Sequence, residues 1–151
     1  MALSDTSAID AAVLAVLQGD ATLAGLVPGG VWFDVVGSGA APVTAYVLVT
    51  QLAHEDQAML RGDAWERVLY AVKVVRLETS GVNVKAAAFR IHQLLHDARF
   101  PITGYTLMLS TRLERLRYEE RDDLTESTWH HRGGQYAVYA APAAGALEDV
   151  A

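Results

Sequence analysis

The stretch WERVLYAVKVVRL, residues Trp65 to Leu77, decides the fold of this chain. Its apolar residues occupy both alternate sets of positions, with Leu69 and Val75 in one set and Val68 and Val72 in the other. Successive side chains of a strand point to opposite faces of the sheet. The pattern therefore predicts a strand that is covered on both faces.

A second strand completes a predicted hairpin. Residues 43–53 repeat the two-sided apolar pattern, and the polar run of residues 54–63 separates them from the strand that begins at Trp65. A polar run between two apolar strands is typical of a hairpin connection. We therefore expect residues 43–77 to form a hairpin with a long polar tip.

Two amphipathic helices flank this hairpin. Apolar residues from Ile9 to Leu17 recur at helical spacing and stop before Gly19, and Asp20 is placed to cap a further short turn. A second helical pattern runs from Val84 to Ala98, and Pro101 is expected to end it.

Three more strands are predicted at residues 31–36, at residues 105–118, and from Trp129 or Gln135 to residue 141. Within residues 105–118 the apolar parity shifts, which indicates a bulge. The polar run of residues 119–123 is expected to be a solvated turn. The order α-β-β-β-α-β-β predicts an α+β fold, in which a mostly antiparallel or mixed sheet of four to five strands packs with two main helices. We expect one domain over residues 1–141 and a small-residue tail over residues 142–151.

Two helices cannot cover both apolar faces of such a sheet. Exposed apolar patches and open sheet edges are sites of association. We therefore expect copies of the same chain, or another partner, to cover part of the sheet.

Charge and composition exclude several classes of function. The chain has 151 residues, no cysteine and a net charge of −6, and its first 60 residues contain six acidic residues but no lysine or arginine. Without cysteine, disulfides and thiol chemistry are impossible. The acidic excess argues against a general nucleic-acid binder and allows a surface that faces a basic partner.

Membrane insertion is not expected. The first basic residue is Arg61, and the longest early apolar run, residues 11–17, is far shorter than the roughly 20 residues that span a bilayer. We expect a soluble protein that is made in the cytoplasm.

The histidines raise the question of a metal enzyme. His92 and His96 are spaced as in the zinc-binding helix of some proteases, but Gln93 stands where the catalytic glutamate would be. His130 and His131 are adjacent, so on a strand they point to opposite faces and cannot bind one ion together. One of them could still meet His54, Glu55 or Asp56 in space.

A plainer interpretation is favoured for each of these groups. His92 and His96 fit an ordinary helix surface, and residues 129–134 fit a loop rim with Trp129 half-buried and a turn at Gly133 and Gly134. For the basic cluster of Arg112, Arg115 and Arg117, phosphate binding competes with pairing to acids such as Glu66 or Glu78 or to a neighbouring subunit. Pairing is favoured, and no catalytic residue, cofactor or metal is predicted.

Several segments together carry a resemblance to a known family. They are the helix IDAAVLAVL with ATLAGLV, the residues VWF at 31–33, the strands VTAYVLV and VLYAVKVV, the helix AAAFRIHQLLHD, and the closing RYEERDDLTESTWHHRGGQYAVYA. In order and spacing, residues 5–141 resemble the tail-terminator (tail-completion) proteins of long-tailed bacteriophages and of related prophage or gene-transfer particles.

This resemblance implies an α+β subunit that assembles as a hexameric ring on the head-proximal end of the tail tube. Such rings stop tube polymerisation and offer a surface to which the head attaches through its connector. The implied partners are further copies of the chain, the tail tube protein and the neck proteins, with DNA only passing through the lumen. Another neck or head-completion ring protein is the alternative, followed by a metal-dependent hydrolase that uses His92, His96 and a histidine from 130–131.

Partner contacts are expected at two polar turns, because loops at strand ends commonly present contact residues and aromatic and arginine residues are frequent hot spots. The residues predicted at the first turn are His54, Glu55, Asp56, Arg61 and Asp63, with Trp65 as an anchor. Those predicted at the second turn are Arg121, Asp122, Asp123, Trp129 and His130.

Overall fold

The computed structural model describes residues 6–34, 44–57, 65–121, 123–124 and 126–143. The helices are α1 (Thr6–Gln18), α2 (Ala21–Leu26) and α3 (Val82–Leu95). The strands are β1 (Val31–Phe33), β2 (Ala45–Gln57), β3 (Trp65–Glu78), β4 (Tyr105–Arg121) and β5 (Thr128–Pro142). They form one five-stranded sheet in the order β1-β2-β3-β5-β4. The predicted α+β fold is confirmed.

The sheet is mixed, with a single parallel pair among its described strands. The short strand β1 runs parallel to β2, whereas β2, β3, β5 and β4 pair with their neighbours in antiparallel fashion. The central strand β3 pairs with β2 on one side and with β5 on the other over nearly its whole length. Strand β4, with 17 residues, forms one edge of the sheet.

All three helices contribute to one core on one face of the sheet. The core side chains of β3 are the even-numbered residues from Val68 to Val74, and those of α1 and α3 include Ile9, Leu17 and Ile91. These helical residues are fully buried, as the apolar spacing predicted. Packing of the amphipathic faces against the sheet therefore stabilises both long helices.

The opposite face of the sheet has no helix against it in the described part of the chain. Its side chains include Leu69, Leu77 and Trp129, which are half-buried, and Val75, which is buried. We call this surface the open face. The two-sided apolar pattern predicted that both faces of the sheet would be covered. The helices cover only one face.

The helix ends follow local hydrogen bonding. Asp20 accepts a hydrogen bond from the Leu23 amide at 2.8 Å and so caps α2, as predicted. Helix α3, however, ends at Leu95, well before Pro101, because His96 is extended and Asp97 has a φ of 53°. The expectation that Pro101 ends this helix was wrong.

Two polar segments that were expected to be a connection and a turn lie in strands, because β2 continues through residues 54–57 and β4 through residues 119–121. Strand β5 begins at Thr128, next to Trp129, the earlier of its two predicted starts. In each case the backbone pairs with a neighbouring strand, as in the register of His54 with Val68 and of Glu119 with His130. Backbone hydrogen bonding to a neighbouring strand therefore extends these strands even though their side chains are polar. At the far end of β5, Pro142 belongs to the strand and not to the expected tail.

Gly133 and Gly134 lie within β5 and form no turn, which corrects the expected loop rim. A Cβ at Gly133 would overlap the carbonyl oxygen of Val72, and one at Gly134 would lie 2.8 Å from the carbonyl oxygen of Glu114. Glycine is therefore needed here because neighbouring backbones approach closely.

The predicted irregularity in the long strand is present. The register between β4 and β5 shifts between Leu107 and Leu109 and again between Arg112 and Glu114. Such bulges change which residues face the core. As a result Leu107 packs against the helical core, whereas Leu109 and Leu113 are exposed.

Candidate interaction surfaces

The two predicted contact regions lie at opposite ends of the sheet. The described contact residues of β2 and β3 lie near the row in which Glu66 pairs with Ala140, and those of β4 and β5 lie near the row in which Glu78 pairs with Thr128. At about 3.4 Å per residue, the twelve steps from Glu66 to Glu78 span about 40 Å. We call these regions the first end and the second end of the sheet.

At the first end, an aromatic and charged cluster lies on the open face. The rings of Trp65 and Tyr139 lie 5.6 Å apart, and the Arg67 guanidinium lies 5.9 Å from the centre of the Tyr139 ring. Arg67 also donates to the Tyr139 hydroxyl at 3.2 Å and faces Glu55 at 3.5 Å. These contacts hold Trp65 and Glu55 on one surface.

The helix side of the first end carries a second cluster. His54 Nε2 lies 3.2 Å from Glu66 Oε1 and 3.7 Å from Asp56 Oδ1. The alternation of β2 therefore separates the predicted contact residues, because His54 and Asp56 face one side and Glu55 the other. Arg61 and Asp63 lie outside the described residues.

At the second end, a stacked pair lies on the open face. The rings of Tyr118 and His131 lie 4.1 Å apart and are nearly parallel, and Lys73 donates to the Tyr118 hydroxyl at 2.5 Å. His131 Nε2 lies 3.1 Å from Glu120. Burial, reinforced by the charge of Lys73, lowers the pKa of His131, so the neutral imidazole is favoured.

The predicted contact residues of the second end are sequence neighbours of this pair and do not belong to it. His130 points away from His131, towards Gly81 and towards Glu119 at 3.6 Å, as the alternation of a strand requires. Trp129 is half-buried, as predicted, while Arg121 and Asp123 are exposed. Arg121, Trp129 and His130 lie in strands and not in the predicted turn. Asp122 lies outside the described residues.

The outer edge of β4 combines apolar and basic side chains. The side chains of Met108, Leu109 and Leu113 are 55%, 43% and 49% exposed. No described strand pairs with this edge, so its outward backbone groups are available to a partner. This edge is the most apolar exposed surface of the described sheet.

The arginine cluster of β4 does not pair with the acids proposed from the sequence. Glu66 contacts His54, and Glu78 accepts a hydrogen bond from Arg76 at 2.9 Å. Within the described residues, the one ion pair of this cluster joins Arg117 to Glu119 at 3.9 Å. Pairing with Glu66 or Glu78 was therefore a wrong prediction, and pairing with a neighbouring subunit remains a prediction.

The histidines of the alternative hydrolase hypothesis are not all brought together among the described residues. His92 and His96 stack at 4.5 Å, His92 contacts the Tyr136 hydroxyl, and His96 Nδ1 accepts a hydrogen bond from the Arg112 amide. His131 lies five residues from Tyr136 along β5, which is about 17 Å. The same strand spacing keeps residues 130–131 more than about 20 Å from His54.

Sequence reasoning missed several members of these clusters. Glu66 was considered only as a partner for arginines, and Arg67, Tyr139 and Tyr118 were not proposed as contact residues. The positions of Glu66 and Tyr139 depend on the pairing of β3 with β2 and β5. The spacing of His54 and Asp56 two residues apart on a strand was the one available indication that their side chains share a face.

The described chain is thus one five-stranded sheet with polar and aromatic clusters at both ends. A family model described as "Tail completion protein gp17" matches residues 11–132, which is most of the chain. The chain therefore belongs to the family of tail completion proteins gp17 and has a structural role in virion assembly.

A solved structure shows the same fold. It is a chain of the "Virion of native gene transfer agent (GTA) particle", with a TM-score of 0.67 and 21% sequence identity. The match covers 90% of this chain and 96% of that one. No curated protein sequence matches the chain significantly. Among the described residues, no helix has both the length and the apolar character needed to cross a membrane.

Proposed function

We propose that this chain forms a ring on the head-proximal end of a phage tail tube, where it ends tube polymerisation and provides the attachment surface for the head. The single observation that carries this proposal is the position of the two predicted contact regions, about 40 Å apart at opposite ends of one continuous sheet. A rigid subunit with contact groups at both ends can bind a different assembly with each.

The first end would supply His54, Glu55, Asp56 and Trp65, together with Arg61 and Asp63 of the adjoining connection. The second end would supply Arg121, Asp123, Trp129 and His130, together with Asp122. Trp65 and Trp129 are the proposed anchors, since partly exposed tryptophans contribute strongly to interfaces. One end would bind the tail tube protein, and the other would bind the connector or another neck protein.

Ring formation is supported by the difference between the two edges of the sheet. The β4 edge carries exposed Leu113 and the basic residues Arg115 and Arg117, and β4 as a whole has a small basic excess of four arginines over three glutamates. At the other edge, β1 ends after Phe33, no described strand pairs with β2 beyond Val49, and this part of β2 carries Glu55, Asp56 and the 47% exposed Leu52.

Two unlike and complementary edges favour a head-to-tail contact between copies. Repetition of that contact closes a ring if the rotation allows it. Family resemblance makes six copies the expected number. Residues 1–141 would form the ring domain, which β5 extends by one residue to Pro142, and the residues beyond it would form a tail. The acidic excess would keep DNA from adhering to the lumen as it passes.

Electron microscopy of particles assembled without this chain tests the proposal. We expect tails longer than normal that carry no heads, because nothing stops the tube or joins it. Tails of normal length without heads would instead support another neck or head-completion component. Normal, headed particles would refute both functions. Complementation with the intact chain is the control.

A further inference from the structure

We propose that His54, Asp56 and Glu66 form a binding site for a divalent metal ion of the zinc class. The site lies on the helix side of the first end of the sheet. The site shares His54 and Asp56 with the proposed contact residues of the first end, but metal binding by the isolated protein requires no partner and is tested separately from tail assembly.

The backbone brings the three ligands together. His54 and Asp56 are two residues apart on β2 and therefore face the same side, and Asp56 pairs directly with Glu66 of β3. One ligand atom from each residue, the His54 Nε2 and a carboxylate oxygen of each acid, lies within 4.8 Å of the other two. The two measured separations from Nε2 are 3.2 Å to Glu66 and 3.7 Å to Asp56.

These separations suit a metal ion. Zinc binds imidazole nitrogen and carboxylate oxygen at about 2.0–2.2 Å, which in tetrahedral geometry places neighbouring ligand atoms about 3.4 Å apart. Small side-chain rotations would bring all three atoms to that spacing. Asp56 is 63% exposed, so the ion could enter from solvent and retain water in the remaining position.

An independent observation at Glu66 points to a bound cation. Its side chain is 3% exposed, and its Oε2 atom is buried without a hydrogen-bond partner among the described residues. An unpaired oxygen on a buried carboxylate is unfavourable. The His54 imidazole reaches one oxygen of Glu66 only, and Asp56 adds a second carboxylate beside it. A divalent ion balances both carboxylates and can bind both oxygens of Glu66.

The nitrogen ligand favours a transition metal over magnesium or calcium, which prefer all-oxygen sites. Bound between β2 and β3, the ion would fix the strands where they enter the connection at residues 58–64. No metal was predicted from the sequence, because the register that places Asp56 opposite Glu66 cannot be seen there.

Titration of metal-free protein with Zn²⁺ by calorimetry, and with Co²⁺ by visible absorption, tests the site. We expect one ion per chain and a cobalt spectrum typical of a tetrahedral complex. Asp56→Asn, His54→Ala and Glu66→Gln should each weaken Zn²⁺ binding by more than the roughly 10–100-fold that is lost when a residue that only hydrogen-bonds to a metal ligand is removed. Because Asp56 is exposed, Asp56→Asn should not disturb folding. It therefore tests the site even if the variant at the buried Glu66 does not fold.

His96→Ala is the matched control, because it removes a histidine from the stacked His92–His96 pair, which supplies no ligand to the site. Its Zn²⁺ affinity should equal that of the wild type. The proposal is overturned if the wild type binds no Zn²⁺, if Asp56→Asn and His54→Ala bind as tightly as the wild type, or if binding is lost only in His96→Ala.

Discussion

Arg90 of α3 binds the carboxylate of Asp20 through two nitrogens, with Nη2 at 2.6 Å from Oδ1 and Nε at 2.9 Å from Oδ2. The same carboxylate caps α2 by accepting from the Leu23 amide. One side chain therefore starts α2 and fixes it against α3. This link orders the helices that cover the core face of the sheet.

Stability should depend on the charge of Asp20. The hydrogen bonds from Arg90 lower the pKa of Asp20 from 3.8 to about 2. Because the folded pKa lies below the unfolded one, the stabilisation is complete above pH 3.8 and is lost as the pH falls towards 2. Asp20→Asn keeps a capping side chain but removes the charge. Its urea midpoint should lie below that of the wild type at pH 7, and the difference should vanish near pH 2.

Two further variants separate the cap from the ion pair. Asp20→Ala should lose about 1 kcal/mol more than Asp20→Asn at pH 7, because it also removes the cap. Arg90→Gln should reproduce the loss of pH dependence while leaving the cap intact. A wild-type and Asp20→Asn difference that stays constant from pH 7 to pH 2 would contradict the assigned ion pair.

The glycines of β5 should tolerate no side chain. Gly133→Ala places a Cβ 2.7 Å from the Lys73 Cα and against the Val72 carbonyl, where only backbone movement can make room. We expect a loss of about 1–3 kcal/mol in the free energy of unfolding, as for other overpacked positions. Urea denaturation followed by circular dichroism measures the change.

Gly25→Ala is the control for this change. Gly25 lies inside α2, and a Cβ there would meet nothing within 4 Å. Because alanine favours a helix over glycine, we expect this variant to be as stable as the wild type or more stable by up to about 1 kcal/mol. Equal effects of the two variants would show that crowding between β5 and β3 does not require glycine.

Reversal of charge at the first end should affect assembly without affecting folding. The double variant Asp56→Lys and Asp63→Lys should keep the wild-type circular dichroism spectrum but reduce the yield of tails joined to heads. Asp56→Asn is the matched control, since it removes the carboxylate without reversing its charge. If the double variant gives an unchanged yield of infectious particles, these residues do not contribute to the contact.

The fold was predictable where the apolar pattern dominated. Helices α1 and α3 bury the residues whose spacing predicted them, and the parity shift in residues 105–118 corresponds to real bulges. Strand ends were not predictable, because backbone pairing carries polar residues such as His54 and Glu119 into the sheet. Gly133 and Gly134 suggested a turn, and only the approach of β3 and β4 explains why glycine is required inside a strand.

The candidate contact surfaces were partly predictable for the same reason. Local sequence identified polar and aromatic residues near strand ends, and the opposite orientation of His130 and His131 followed from strand alternation. The distance between the two ends, and the pairing of Asp56 with Glu66, depend on the register of strands far apart in sequence. Such long-range registers are not visible in a single sequence.

In the proposed ring, the β4 edge of one copy meets the β2 edge of the next copy, and repetition of this head-to-tail contact closes the ring. The chain contains no cysteine, so introduced thiols provide a specific test. Leu113→Cys on the β4 edge and Leu52→Cys on the β2 edge, treated with a flexible bis-maleimide, should give a ladder of covalent species that ends at the hexamer when both are present. Each single variant should remain uncrosslinked. Dimers from the Leu113→Cys variant alone, or no ladder from the double variant in assembled particles, would contradict this account.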